Sequence, residues 1–253
     1  MQSWMEGLET PCVVIDVEKA RANILRMQCA ADAANCALRP HIKTHKMPLF
    51  ARMQVEAGAK GITCAKVSEA EVMADGGIDD IFIAYPMVGD FRIRRAIDLS
   101  RRVRRLILAV DSEEGAAELD RTARREGVRL EVRLEIDTGA GRTGVAAEQA
   151  AELAERVAQM RGLELTGIYT FKGLVYGGKP CADAAQAAEE EGRMLADAAR
   201  AIRRRGVELR DVSGGSTPTG IAVAQTGMVS EIRPGTYVFN DELLVAERAA
   251  AVE

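Results

Sequence analysis

The feature that most constrains this chain is an alternation that runs its whole length. Short apolar runs are followed, again and again, by longer stretches with helical spacing. The runs span residues 37–44, 61–65, 80–85, 105–111, 129–137, 163–170, 210–216 and 231–238. Most are apolar throughout rather than alternating, as parallel strands covered on both faces are. A further apolar run, 12–16, precedes them. Helices are expected over 17–31, 47–57, 68–74, 91–101, 113–126, 147–160 and 182–205. The first places Ala20, Ile24, Met27 and Ala31 on one stripe, and Pro48 suits the opening turn of the second. Gly127, Gly162 and Gly206 each follow a helix, where a left-handed cap costs glycine little. Eight βα steps in 253 residues is the size and rhythm of an α/β fold of the (β/α)8, TIM-barrel type. A doubly wound open sheet is the alternative, disfavoured because no GxGxxG opens the first helix.

Charge and composition exclude other classes. With 34 Lys+Arg against 38 Asp+Glu and 47% hydrophobic residues, the chain is too apolar and too balanced to be disordered. It lacks the basic excess of a nucleic-acid binder. The basic runs 101–105 and 203–205 read as exposed helix ends, where cations are favoured. The longest apolar runs fall far short of the ~20 residues that cross a bilayer. The first ten residues contain Glu6 and Glu9 and no apolar block, unlike a secretory signal. Five cysteines without a CxxC pair favour reduced thiols and a cytoplasmic setting. Neither nucleic acid nor membrane is expected as a partner.

Active sites of barrels lie at the C-terminal ends of the strands. There, residues 39–46 read Arg-Pro-His-Ile-Lys-Thr-His-Lys and hold both histidines, His41 and His45. Lys43 among so many cations is a candidate amine nucleophile of lowered proton affinity, or else a solvated surface lysine. His41 and His45 could also pair on zinc, although no third ligand lies nearby in sequence. Residues 213–219, Ser-Gly-Gly-Ser-Thr-Pro-Thr, offer unobstructed backbone N–H groups and hydroxyls, and Gly235-Thr236 follows on the next strand. Loops after strands seven and eight are the usual barrel phosphate site, although a plain glycine-rich turn would look the same. A phosphate cup and an amine in one mouth suit an aldehyde-bearing phosphate such as pyridoxal phosphate.

The segments LETPCVVID, LRPHIKTHK, GITCAKVSEAEVM, EIDTGAGRTG, SGGSTPT and EIRPGTYVFND occur in an order that resembles the D-threonine aldolase and D-serine dehydratase group. That group belongs to the alanine racemase-like, fold-type III pyridoxal phosphate enzymes, and the likeness extends from about Leu8 to Asp241. The resemblance implies an alanine racemase N-terminal-type barrel in which Lys43 carries pyridoxal 5'-phosphate as a Schiff base. It places Arg142 near the cofactor ring, with Tyr169 and Tyr176 lining the site. It assigns Thr217, Gly235 and Thr236 to the phosphate, with Gly214, Gly215 and Ser216 shaping that cup. It sets Arg233 by the pyridine nitrogen and His41 beside Lys43. Where many relatives have histidine, this chain has Phe171.

The resemblance also implies an activity. This is a pyridoxal phosphate-dependent lyase acting on a small-molecule D-β-hydroxy amino acid, by aldol cleavage or by dehydration, with Lys43 as acid and base. Relatives carry a second, C-terminal β domain with ligands for a divalent metal, zinc or manganese, typically histidine with cysteine or aspartate. No histidine follows His45 here, so no metal residue is assigned. Residues 1–253 are expected to be a single cofactor-binding barrel, a truncated or minimal form, with a homodimer as the possible assembly. The alternatives are a non-catalytic barrel that binds and buffers pyridoxal phosphate, and an amino acid racemase.

Overall fold

The structure, a computed structural model, describes residues 5–246. Its strands in chain order are β1 (Ala37–Leu38), β2 (Ile62–Cys64), β3 (Asp80–Pro86), β4 (Arg105–Val110), β5 (Leu130–Asp137), β6 (Val145–Ala146), β7 (Leu163–Tyr169), β8 (Val175–Tyr176), β9 (Lys179–Pro180), β10 (Asp211–Gly214) and β11 (Glu231–Ile232). Its helices are α1 (Val17–Ala33), α2 (Pro48–Glu56), α3 (Val67–Asp75), α4 (Asp90–Ser100), α5 (Glu113–Arg125), α6 (Ala150–Ala158), α7 (Ala184–Arg204), α8 (Gly220–Gln225) and α9 (Glu242–Ala246).

Eight strands form one parallel sheet in the order β1-β11-β10-β7-β5-β4-β3-β2, with β6 paired outside that path on β5. The sheet curls until its two edges meet. Lys60 N donates to Leu38 O and Thr63 N to Pro40 O, both at 2.8 Å, and His41 bridges Thr63 in parallel. The fold is therefore α/β with a curled eight-stranded parallel sheet wrapped by helices. The central strands β4, β5, β7 and β10 are nearly all buried, as is the first half of β3; β3 and β4 read as continuous apolar runs, whereas β5 alternates apolar residues with buried charged ones.

Local chemistry sets the helix starts. Asp16 caps α1 by accepting from Glu18 N and Lys19 N at 3.0 Å. Ser112 caps α5, and Asp183 caps α7. These caps satisfy N–H groups that have no partner inside the helix. On α1 the buried positions are Ala20, Ile24, Gln28 and Ala31, and Met27 is partly buried against the core as expected, so the stripe gains Gln28. The basic run 101–105 is neutralised at the helix and strand ends. Arg102 pairs with Asp75, Arg104 with Asp79 and Arg105 with Glu131.

Several boundaries differ from expectation. The first and last sheet strands are two residues long, and each gives way to a short 3-10 turn, Ile42–Thr44 and Thr236–Val238. Arg39-Pro40 and Arg233-Pro234 follow the two strands directly, and the bonding between them carries on in register from Arg39 N to Ile232 O and from His41 N to Pro234 O. The run 12–16 forms no strand, and Val13 and Val14 are exposed at 90% and 58%. Gly127 and Gly206 are left-handed, with φ of +66° and +79°. Gly162 is not; a Cβ there would lie 2.8 Å from Asp120 O, so close backbone approach explains it instead.

Inside the curl, at the N-terminal ends of the strands, lies a charged layer rather than an apolar one. Arg39 donates to Glu231 at 2.9 Å and to Asp80 at 2.5 Å. Arg133 donates to Glu231 at 2.5 Å and to Asp211 at 2.8 Å. Both arginines are fully buried, so each needs such a partner to be tolerated there. Above this layer Phe82, Ile107, Ala109 and Tyr169 pack together, and Tyr169 reaches from this cluster into the lining of the site.

Candidate active site

The first and last sheet strands build the site as a pair. His41 N donates to Pro234 O at 2.9 Å, and Thr44 Oγ1 to Gly235 O at 3.0 Å. A Cβ on Gly235 would lie 2.7 Å from His41 O, so only glycine lets the two turns approach this closely. The turn bearing Lys43 is thus tied to the turn bearing Gly235 and Thr236. Beside them, Gly215 takes φ +75°, and a Cβ there would sit 2.8 Å from Gly220 Cα. This lets the chain turn sharply from β10 into Ser216 and Thr217.

Together these segments enclose a cavity of about 280 Å³, near the lower end of small-molecule sites. His41, Lys43, Tyr169, Gly215, Ser216, Thr217, Arg233, Gly235 and Thr236 all line it. Thr217 Oγ1 accepts the backbone N–H groups of Gly235 at 3.1 Å and Thr236 at 3.0 Å. Two amide donors therefore converge on one oxygen, as they would on an anion.

The electrostatics follow from position. Lys43 stands in the mouth, reached by solvent, and its ammonium lies 5.4 Å from the centre of the Phe171 ring. Partial burial, then Arg142 and Arg233, lower its proton affinity below the usual lysine value. His41 is pushed well below the ordinary histidine range by burial, Lys43 and Arg233, so it is neutral at physiological pH. Its Nδ1 accepts from Lys43 N at 3.4 Å. Arg233 is buried, donates to Ser213 Oγ at 2.6 Å and to Thr170 O, and lies 5.1 Å from the Tyr169 ring centre. Tyr169 donates to Glu135 Oε2 at 2.8 Å, and Thr143 to Glu135 Oε1 at 2.9 Å. Burial raises the Glu135 carboxyl above its usual range.

Three expected residues lie outside the cavity lining. Arg142 is held on the loop that follows β5, where Asp137 Oδ1 accepts from Gly139 N and Gly141 N. Its guanidinium stacks 4.9 Å from the Phe171 ring centre, on the rim. Tyr176 belongs to the β8–β9 hairpin and is 40% exposed. Gly214 is buried on the far side of its strand, where a Cβ would meet Leu195 of α7 at 2.8 Å. The zinc alternative for His41 and His45 fails, because His45 turns away into Phe50, Phe239 and Gln54. Burial lowers its pKa to about 4.

Sequence reasoning missed other residues at the site. Ala84, Leu174, Asp241, Leu243 and Leu244 line the cavity, beside Phe171, already marked by its departure from the relatives' histidine. Lys172 is buried, bonded to Glu190 of α7, which also accepts from Gly177 N. This pair pins the segment after β7 to α7. No periodicity signals a lone lysine in a loop.

Comparison with known proteins places this geometry. The family described as "Alanine racemase, N-terminal domain" matches residues 15–242. The chain belongs to that family. Among individual relatives, it is 39% identical over 244 residues to the D-threo-3-hydroxyaspartate dehydratase of Delftia sp. (strain HT23), a match covering 95% of this chain and 64% of that protein. It is 32% identical over 235 residues to the D-threonine aldolase of Arthrobacter sp, covering 92% and 62%. The solved structure of the Delftia dehydratase superimposes with a TM-score of 0.89 at 37% identity, over 97% of this chain and 65% of that one. The chain thus spans slightly less than two thirds of these relatives, and the resemblance to the aldolase and dehydratase group holds.

Proposed function

We propose that this family member is the pyridoxal phosphate-binding part of a lyase that acts on D-configured β-hydroxy amino acids. The observation that carries the reading is one cavity shared by an amine of lowered proton affinity, Lys43, and a paired-amide anion cup, Gly235-Thr236 with Thr217. The relatives, a dehydratase and an aldolase of such substrates by name, supply the reaction class. We also infer that the curled sheet is a closed (β/α)8 barrel, supported by the bonds that join β1 to β2.

The residues present fit the cofactor. Lys43 would bond the aldehyde carbon, and Ser216, Thr217, Gly235 and Thr236 would hold the phosphate. Tyr169 and Phe171 provide aromatic walls, and Arg233 lines the cavity with its guanidinium against the Tyr169 ring. Bound pyridoxal phosphate supplies an electron sink for the bond broken at Cα. The protein's share is positioning and proton transfer. Lys43 Nζ, easily deprotonated, takes or returns a proton at Cα. The neutral His41 adds no second charge beside it. Arg142 on the rim offers a guanidinium for a substrate carboxylate, and Phe171 holds it there by cation–π contact. Tyr169 keeps its proton, because burial and Glu135 raise it well above the usual phenol range.

The zinc or manganese expected in the relatives has no assigned ligand here, and no group of three or more His, Cys, Asp or Glu is gathered among the described residues. No step is assigned to a metal. Among those residues no helix is long and apolar enough to cross a membrane. A homodimer remains a proposal, tested by light scattering. The functional reading is tested by release of ammonia and of aldehyde from D-serine, D-threonine and D-threo-3-hydroxyaspartate. Release from any of them that is lost in Lys43→Ala supports it. Cofactor binding with no turnover of any of them would favour the buffering barrel.

A further inference from the structure

The anion cup is braced from behind by a carboxyl group without a cation on it. Glu191 of α7 is 0% exposed. Its hydrogen-bond partners among the described residues are Gly215 N–H at 2.7 Å and the Thr219 hydroxyl at 3.4 Å. Thr219, also 0% exposed, accepts from Ser216 N at 3.1 Å and lies 3.1 Å from Ser216 Oγ. Ser216 lines the cavity. Glu191, Thr219 and Ser216 form an unbroken file of exchangeable protons from the helix to the site.

The direction of that file depends on one proton. A hydroxyl donates once and accepts twice, and Thr219 Oγ1 already accepts the Ser216 N–H. With Glu191 ionised, Thr219 donates to it and accepts from Ser216 Oγ, so Ser216 presents lone pairs to the cavity. With Glu191 protonated, it donates to Thr219, Thr219 donates to Ser216, and the Ser216 hydroxyl is free to donate to an anion. We propose that Glu191 is a positioning residue that keeps Ser216 a donor into the anion cup through Thr219, so that a phosphate and a proton bind here together. The proposal rests on the reading of residues 215–217 and 235–236 as a phosphate site.

The surroundings agree. Burial raises the proton affinity of Glu191. The cations that face it are Arg233, from the end of β11, and Lys172, from the segment after β7. The first is engaged by Ser213 and Thr170 and the second by Glu190, its neighbour on α7. Neither forms an ion pair with Glu191.

The test compares affinities for pyridoxal phosphate and pyridoxal on the full chain, by absorbance, between about pH 7 and about pH 9, above the second ionisation of a phosphate monoester at about 6. Their ratio isolates the phosphate contribution, since Lys43 and His41 titrate alike for both ligands. In the wild type the ratio falls roughly tenfold or more as pH rises, the worth of one hydrogen bond to a charged group. In Glu191→Gln the amide donates to Thr219 at every pH while its carbonyl accepts from Gly215, so that fall disappears and the ratio stays high. In Thr219→Val, which removes the hydroxyl that links Ser216 to the carboxyl, Ser216 has no internal acceptor and donates to the anion at every pH, so the ratio is high and equally flat. A wild-type slope in either variant overturns the proposal, as does an unchanged ratio in Ser216→Ala. A wild type that does not prefer pyridoxal phosphate to pyridoxal overturns the phosphate-site reading itself, and this proposal with it.

Discussion

At the scale of residues, the site works through cations that crowd one amine. Burial first, then Arg142 and Arg233, drive Lys43 below its ordinary value of 10.5. Only the neutral amine attacks an aldehyde. The rate of cofactor attachment therefore rises with pH and levels off earlier than for a free lysine. Removing one cation in Arg142→Ala raises the Lys43 pKa and moves that profile to higher pH. Stopped-flow absorbance over a pH series reads both, and an unmoved midpoint in the variant contradicts this account. Thr217→Val removes the oxygen that gathers the Gly235 and Thr236 amides. Affinity for pyridoxal phosphate should fall about tenfold, the cost of one or two lost hydrogen bonds, with much less change for pyridoxal.

At the scale of elements, two Arg-Pro dipeptides follow the first and last sheet strands and lead the chain into the site. The Gly215 turn then closes the cup. Gly215→Ala must relieve both a left-handed φ and a 2.8 Å contact with Gly220 Cα, whereas Gly127→Ala meets nothing within 4 Å. The second should cost about 1 kcal/mol in urea denaturation. The first should cost more, and lower cofactor affinity as well. How much of this could be read beforehand follows the same physics. The long central strands and the helices α1, α5 and α7 were legible because burial on both faces, or on one stripe, writes a period into the sequence. Lys43, Thr217 and Gly235 were legible because strand ends and glycine-rich turns are local features. The shortness of β1 and β11 was not legible, because the apolar residues run on into the turns Ile42–Thr44 and Thr236–Val238. Tyr176 and Gly214 fall outside the cavity lining, because which way the chain faces past a strand end depends on the turn, not on the strand's period. Glu191 and Lys172 were invisible, since both lie far in sequence from the loops they brace.

At the scale of the whole molecule, the buried layer of Arg39, Arg133, Glu231, Asp80 and Asp211 locks the first strand, the last strand and the centre of the sheet together. Burial alone would raise Glu231, but Arg133 and Arg39 outweigh it and hold the carboxyl well below the carboxylate range. Its contribution to stability is present above the unfolded value near 4.5 and is lost as pH falls through the lower folded value. Glu135 and Glu191 are shifted upward, so their contribution runs the other way, present at acid pH and lost as pH rises. Glu231→Ala leaves two buried guanidiniums without their shared partner and should destabilise the fold by about 3–5 kcal/mol, measured by chemical denaturation. A loss below about 1 kcal/mol would show that the layer is not what holds the curled sheet together.

The account turns on whether Lys43 and the cup of Gly235, Thr236 and Thr217 share one ligand. The most direct measurement is an absorbance titration of the purified chain with pyridoxal phosphate, beside Lys43→Ala. The wild type should develop the visible band of a lysine-bound aldehyde at one equivalent, discharged by a D-β-hydroxy amino acid, and Lys43→Ala should develop none. A folded wild type without the band, or a Lys43→Ala variant that keeps it, would contradict the account.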